Sequence, residues 1–390
     1  MDIVNRFARK MFGEGPRTAA RRIGANRGPS PLDEKMAGAE QMAFGWDSEP
    51  EDPPARARSL RQRLQQLAAD GIYLGTSSWK YPGWLGQIYD PRRYSVRGRF
   101  AQRKFEQECL AEYAGIFPTV GGDFSFYQFP SALMWQRIFE QLPAGYKLGL
   151  KVPEDITAYR FGNHARYGER AGMVNAHFMD AALVRDELLA PLEPYRDKIG
   201  PVMFEFGAIH DGPFLRVEHF AERLAGLLGA LPQGRFALAV EVRNRGFLEA
   251  GGPYLSCLQR HGAAHCVSSW THMPSAGEQL DIPGILTAPQ VAARFLLRPG
   301  RTYEQAVELF SPYERIKEVY PEGREALRRL IERCRQQKLA LFAFVNNRFE
   351  GNAVETIEAV LDTLAPDPGS PAARDSGSTN PRTTQEEHSP

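Results

Sequence analysis

Phe236-Ala237-Leu238-Ala239-Val240-Glu241-Val242-Arg243 is the stretch whose reading decides the fold. Alternate side chains of a strand point to opposite faces, so Phe236, Leu238 and Val240 share one side while Ala237, Ala239, Glu241 and Arg243 share the other. The first face is bulky and apolar. The second begins small and ends charged, which suits a strand that packs helices outside, fits a narrow interior, and delivers charge at its carboxyl end.

The pattern repeats on both sides of this stretch. Seven further apolar runs read as strands: Ile72 to Ser77, Thr119 to Phe126, Tyr146 to Lys151, Val202 to Phe206, Ala264 to Ser269, Arg294 to Arg298, and Leu339 to Asn346. Amphipathic segments fall between them at Phe100 to Ile116, Ala132 to Gln141, Asn175 to Leu189, Leu215 to Leu228, Tyr254 to His261 and Arg301 to Gln337, with Ala353 to Leu364 last. Only the connection before Arg294 looks short. Alternating strands and helices predict an α/β protein with a parallel sheet. No G-x-G-x-x-G turn follows the first run, so a closed single-domain (β/α)8 TIM barrel is preferred to an open dinucleotide-binding sheet.

The same parity turns Met203 and Glu205 inward on the fourth strand and Gly149 and Lys151 inward on the third. On the seventh it sets Leu296 and Arg298 on one side, and the eighth ends in Asn346 and Asn347. Barrels assemble their active sites at this carboxyl face. Glu241, Glu205, Lys151 and Asp123 are therefore the catalytic candidates, with Arg243, Arg298, Asn346 and Asn347 as binding candidates. A structural salt-bridge ring is the competing reading of the charges, and helix capping that of the asparagines. The loop Gly75-Thr76-Ser77-Ser78-Trp79-Lys80-Tyr81-Pro82-Gly83-Trp84 adds Ser77 as a hydroxyl donor and Trp79, Tyr81 and Trp84 as a stacking wall, or else forms a lid over the mouth.

Bulk composition narrows the function classes. The chain has 390 residues, 48 basic and 47 acidic, so no overall field draws it to nucleic acid or anionic lipid. No apolar run approaches a membrane span or a secretory signal, and a cytoplasmic, non-membrane protein is expected. Cys109, Cys257, Cys266 and Cys334 form no C-x-x-C pair and read as reduced thiols. None of the eight histidines falls at an inward strand end; His164, His177, His210, His261, His265 and His272 read as loop or helix residues, so no metal and no cofactor is indicated. Residues 1–28 carry Arg6, Arg9, Lys10, Arg17, Arg21, Arg22 and Arg27 against Asp2 and Glu14. This basic arm leads into an acidic, proline-bearing stretch, so residues 1–58 are expected to be disordered, as is the Pro- and Ser-rich tail 365–390, leaving a barrel domain over 59–364.

The quoted loop, with Gly86 and Tyr89, resembles the G-T-S-x-W-x-Y-x-x-W signature of the YecE-like family, domain of unknown function 72. Phe126-Tyr127 with Pro130-Ser131 is similar to its F-Y-x-x-P-S, Lys151 to its strand-three lysine, Gly200-Pro201 to its G-P, Glu241 and Arg243 to its V-E-x-R, and Asn346-Asn347 to its asparagine pair. The resemblance spans Ile72 to Leu364 and implies a TIM barrel with Tyr127 among the binding residues. Two departures stand out: Gly121 and Asp123 replace the glutamate and asparagine of V-E-x-N-x-T-F-Y, and Ala158 replaces the histidine after Thr157. The family has no settled reaction, and barrels host many.

Three functions compete. The first is an enzyme using acid/base chemistry on a small polar molecule bearing a sugar or phosphate, with Glu241 and Glu205 as acid and base. The second is a nucleic-acid-binding or processing barrel using the basic arm and the aromatic loop, disfavoured by the near-neutral charge. The third is a ligand-binding scaffold without chemistry, which the loss at Gly121 favours. Oligomeric state is not legible.

Overall fold

The structure, a computed structural model, describes residues 54–364. Eight parallel strands close a barrel: β1 (Ile72–Thr76), β2 (Thr119–Gly122), β3 (Lys147–Lys151), β4 (Ile199–Phe206), β5 (Ala237–Val242), β6 (Ala264–Ser269), β7 (Gln290–Phe295) and β8 (Ala340–Val345). Each strand pairs with the next in sequence, and β8 pairs with β1 from Ile72 opposite Leu341 to Thr76 opposite Val345. Closure leaves no unpaired sheet edge.

Side-chain parity divides the apolar residues into two cores. Val202, Phe204, Phe206, Leu238, Val240, Val242, Leu341, Ala343 and Val345 face the helices in the larger one. Met203, Ala239, Ala264, Cys266, Ala292, Phe342 and Phe344 fill the barrel interior. The interior is uneven. A Cβ on Gly149 would stand 2.5 Å from Cζ of Phe344, and one on Gly121 3.3 Å from its Cγ. Phe344 thus takes the space that Gly149 and Gly121, opposite one another on β3 and β2, leave open. A longer side chain at position 121 would have to displace Phe344.

Several expected elements differ. The expected seventh strand, Arg294 to Arg298, lies at Gln290–Phe295 instead. Leu296 and Leu297 extend the apolar run, but Leu297 belongs to a separate small cluster with Ala306 and Phe310 beneath the following loop. Arg294 therefore takes the inward position at the carboxyl end, and Arg298 lies outside the barrel. The single helix expected over Arg301 to Gln337 is two, Tyr303–Phe310 and Pro321–Gln337. Pro312 and Pro321 lie in the expected interior, where proline lacks the N–H that continues a helix; Pro321 instead opens the second helix. The helix expected from Asn175 starts at Ala181, where the Asp180 side chain accepts from the N–H groups of Ala182 and Leu183. Phe100, expected to begin a helix, instead pairs with Ser95 in a short hairpin. The short connection before Arg294 contains the helix Ala276–Leu280, with Ser275 and Glu278 in a capping box.

The expected boundary between Arg58 and Ser59 falls inside the helix Ala55–Ala69, which buries Ala57, Leu60, Leu64 and Leu67. The rest of the arm, residues 1–53, and the tail 365–390 lie outside the described residues. Among the described residues, no helix is long and apolar enough to cross a membrane.

Candidate functional site

The strand ends gather six charges. Lys151 Nζ lies 3.1 Å from Asp123 and 2.9 Å from Glu205. Arg243 lies 2.7 Å from Glu241 and 3.6 Å from Glu205. Arg294 Nη1 contacts Glu205 and lies 2.5 Å from Glu241, while its Nη2 is 3.8 Å from Asp123. Three carboxylates face three cations, with Arg294 in the place expected for Arg298. Arg298 pairs with Glu318 and lies over Tyr320.

Accessibility grades across this network. The Glu241 side chain is fully buried and those of Arg294, Arg243 and Lys151 nearly so; Glu205 is 19% exposed and Asp123 42%. Burial alone would push the Glu205 carboxyl up, but Lys151, Arg294 and Arg243 outweigh it and hold it well below the usual carboxylate range. The Arg243 guanidinium lies 4.0 Å from the centre of the Trp270 ring, and Lys151 Nζ 4.8 Å from that of Phe126. Oε1 of Glu241 and Nη1 of Arg243 are buried without a hydrogen-bond partner, the 2.7 Å approach between these two residues being an ion pair of poor hydrogen-bond geometry. Among the described residues, no group of three or more His, Cys, Asp or Glu side chains is placed to share one metal ion.

The aromatic loop splits in two. Trp84 is fully buried in a stack with Tyr89 and Tyr113, so it anchors the loop to the barrel. Trp79 is also buried, edge-on to Phe124, and its carbonyl accepts the Tyr89 hydroxyl. Tyr81 remains partly open, and burial pushes its phenol up to about 12. Ser77 directly follows β1, with its N–H on the Val345 carbonyl at 2.9 Å and its hydroxyl buried without a partner. Tyr127 lies beside Arg166, and burial, reinforced by Asp123, raises its phenol. Asn346 and Asn347 shape the loop after β8: their side-chain oxygens accept the N–H groups of Arg348 at 2.9 Å and Ala353 at 2.7 Å. Two surface hollows, about 340 Å³ beside Asp180 and Arg223 and about 260 Å³ beside Asn244 and Phe247, contain none of the six charges. The convergence of charge at the strand ends marks the site more strongly than either hollow.

The model of the protein of unknown function DUF72 matches residues 73–381. The chain belongs to the DUF72 family. Its fold is similar to that of a DUF72 protein from Enterococcus faecalis, with 15% identity and a TM-score of 0.51 over 80% of this chain and 100% of that one. A DUF72 protein from Thermotoga maritima is 18% identical over 75% of this chain and 96% of that one, with a TM-score of 0.46. No curated protein matches the chain.

Within this DUF72 barrel, four residues of the site escaped the sequence reading. Arg294 was legible as the charged end of Ala292-Ala293-Arg294, the same small-then-charged parity as β5, had the strand been placed four residues earlier. Trp270 and Arg348 follow β6 and the asparagine pair directly, without a periodic signal. Glu154 lies just past β3; burial raises its carboxyl against Arg166 at 2.7 Å and the Tyr167 hydroxyl at 2.8 Å. His265, read as a loop or helix residue, lies on β6 and faces the helices, its ring between the Tyr254 hydroxyl and Gln279.

Proposed function

We propose that the carboxyl end of this barrel binds a small polar molecule and moves a proton on it, with Asp123 as the base and Lys151 as the cation that stabilises the resulting oxyanion. One observation carries the reading: Asp123, 42% exposed, is the most open member of a charge-compensated network whose others are buried or, for Glu205, 19% exposed, and the Lys151 ammonium lies 3.1 Å from it. A base must reach its substrate, whereas its supporting ions need rigidity more than access. Glu205, held by Arg294 and Arg243, then positions Lys151, and Glu241 fixes the two arginines.

The test is a binding screen of sugars, sugar phosphates and hydroxy acids, followed by NMR of each hit in deuterated water to detect exchange or conversion. Exchange that disappears in Asp123→Asn and Lys151→Met supports the reading. Hits that bind and react equally well with both variants defeat it.

A ligand-binding protein without chemistry is the second reading, favoured by Phe344 filling the space beside Gly121. The burial of Trp79 and Trp84 weighs against a nucleic-acid stacking platform, which needs open rings.

A further inference from the structure

Arg348 differs from the other cations of the barrel mouth. Among the described residues it forms no ion pair, and its Nε is buried without a hydrogen-bond partner. Its guanidinium lies 4.5 Å from the centre of the Tyr303 ring. Tyr81 and Tyr313 meet edge to face at 5.5 Å, and both rings, with Tyr303 and Asp123, lie within the electrostatic reach of Arg348. These groups come from three separate connections: Tyr81 follows β1, Tyr303, which opens a helix, and Tyr313 follow β7, and Arg348 follows β8. The β8 loop is held in shape by the Arg348 N–H on the Asn346 side chain at 2.9 Å and the Gly351 N–H on the Asn347 carbonyl at 2.7 Å.

A partly buried guanidinium outside any ion pair is costly unless an anion compensates it. Its planar fork supplies paired donors to an oxyanion, and tyrosine hydroxyls can add more. We propose that Arg348, with Tyr81, Tyr303 and Tyr313, forms a subsite for a tetrahedral oxyanion, the phosphate group of a small phosphorylated molecule whose remainder extends toward Asp123. This rests on the proposed binding of a small polar molecule at the barrel mouth and specifies its class. The aromatic walls limit water on the guanidinium, and the three hydroxyls favour an anion with several acceptors over a planar carboxylate. Asp123, within the electrostatic reach of the same guanidinium, disfavours a second negative group beside it.

The experiment measures binding of inorganic phosphate, sulfate and acetate at equal ionic strength to the full chain, by calorimetry and by the ligand-dependent rise in melting temperature. Phosphate is expected to bind more tightly than acetate, with affinity falling about tenfold or more in Arg348→Gln, the loss of a charge-assisted contact. Tyr303→Phe, which removes only a hydroxyl, should produce a smaller loss without unfolding the loop. Equal phosphate affinity in the wild type and Arg348→Gln overturns the proposal, as does a wild type that prefers acetate or ignores phosphate at millimolar concentration. Glycerol 3-phosphate and glycerol separate the two ideas. If phosphate and glycerol 3-phosphate bind through Arg348 but Asp123→Asn and Lys151→Met change nothing in either binding or exchange, the subsite stands and the proton-transfer reading falls. If unphosphorylated hydroxy acids bind and exchange through Asp123 while phosphate fails, the subsite falls alone.

Discussion

Glu205 and Glu241 are register partners on adjacent strands, two carboxylates side by side at the barrel mouth, and a single nitrogen of Arg294 contacts both. Like charges at this spacing repel, and low polarity amplifies the repulsion. Arg294 is therefore the keystone of the network.

Arg294→Met should be strongly destabilising, by about 3–5 kcal/mol, as for removal of one partner from a buried ion pair. Urea unfolding would measure it. Glu205, held below the usual carboxylate range, contributes stability that is present above its unfolded value and lost in acid as pH falls through its lower folded value. Loss of Arg294 shrinks that shift, so the variant's stability should depend less steeply on pH below about 4. A variant with the wild-type urea midpoint would show that the contacts to Glu205 and Glu241 do not support the fold.

Asp123 and Glu241 should separate binding from stability. Asp123→Asn alters a half-open side chain and should change unfolding by no more than about 0.5 kcal/mol while impairing ligand binding or exchange. Glu241→Gln removes a fully buried charge from between Arg243 and Arg294 and should cost about 3–5 kcal/mol. Sequence reading assigned chemistry to Glu241, which would predict lost activity at an almost unchanged melting temperature. Denaturation curves of the two variants discriminate these assignments.

His265 should make the fold sensitive to mild acid. Burial pushes its imidazole down to about 4, against the Gln279 contact and the Glu241 charge that favour protonation. The unfolded chain therefore binds a proton that the folded chain refuses between about pH 6.5 and 4, and stability falls across that window as pH decreases. The full penalty is about 3 kcal/mol. Stability measured from pH 7 to 4 should flatten in His265→Gln; an unchanged slope would assign the acid sensitivity to other groups.

Gly149→Ala should overpack the barrel, since the new Cβ would meet the tip of Phe344 at 2.5 Å. The expected cost is about 1–3 kcal/mol. Phe344→Leu in the same chain should recover part of it, and Gly121→Ala, with a 3.3 Å approach, should cost less than Gly149→Ala. Additive effects of Gly149→Ala and Phe344→Leu would deny their coupling.

The barrel and much of its site were legible because side-chain alternation is a local property of a strand. Ala239 before Glu241, Met203 before Glu205 and Gly149 before Lys151 each specify an inward face without reference to another strand. By itself, then, the sequence determined the parallel barrel, the face on which charge collects, and three of the four catalytic candidates by their parity. Only the tertiary structure decided that Arg294 and not Arg298 completes the network, that Trp84 belongs to the core, and that Phe344 occupies the space beside Gly121. The same structure left Arg348 without an ion pair among the described residues, its guanidinium over the Tyr303 ring. The physical reason is that periodicity specifies which way a side chain points, but the partner of a charge and the depth of a ring depend on residues on other elements, 53 and 89 positions away for the carboxylates of Arg294, which only the folded barrel brings into contact.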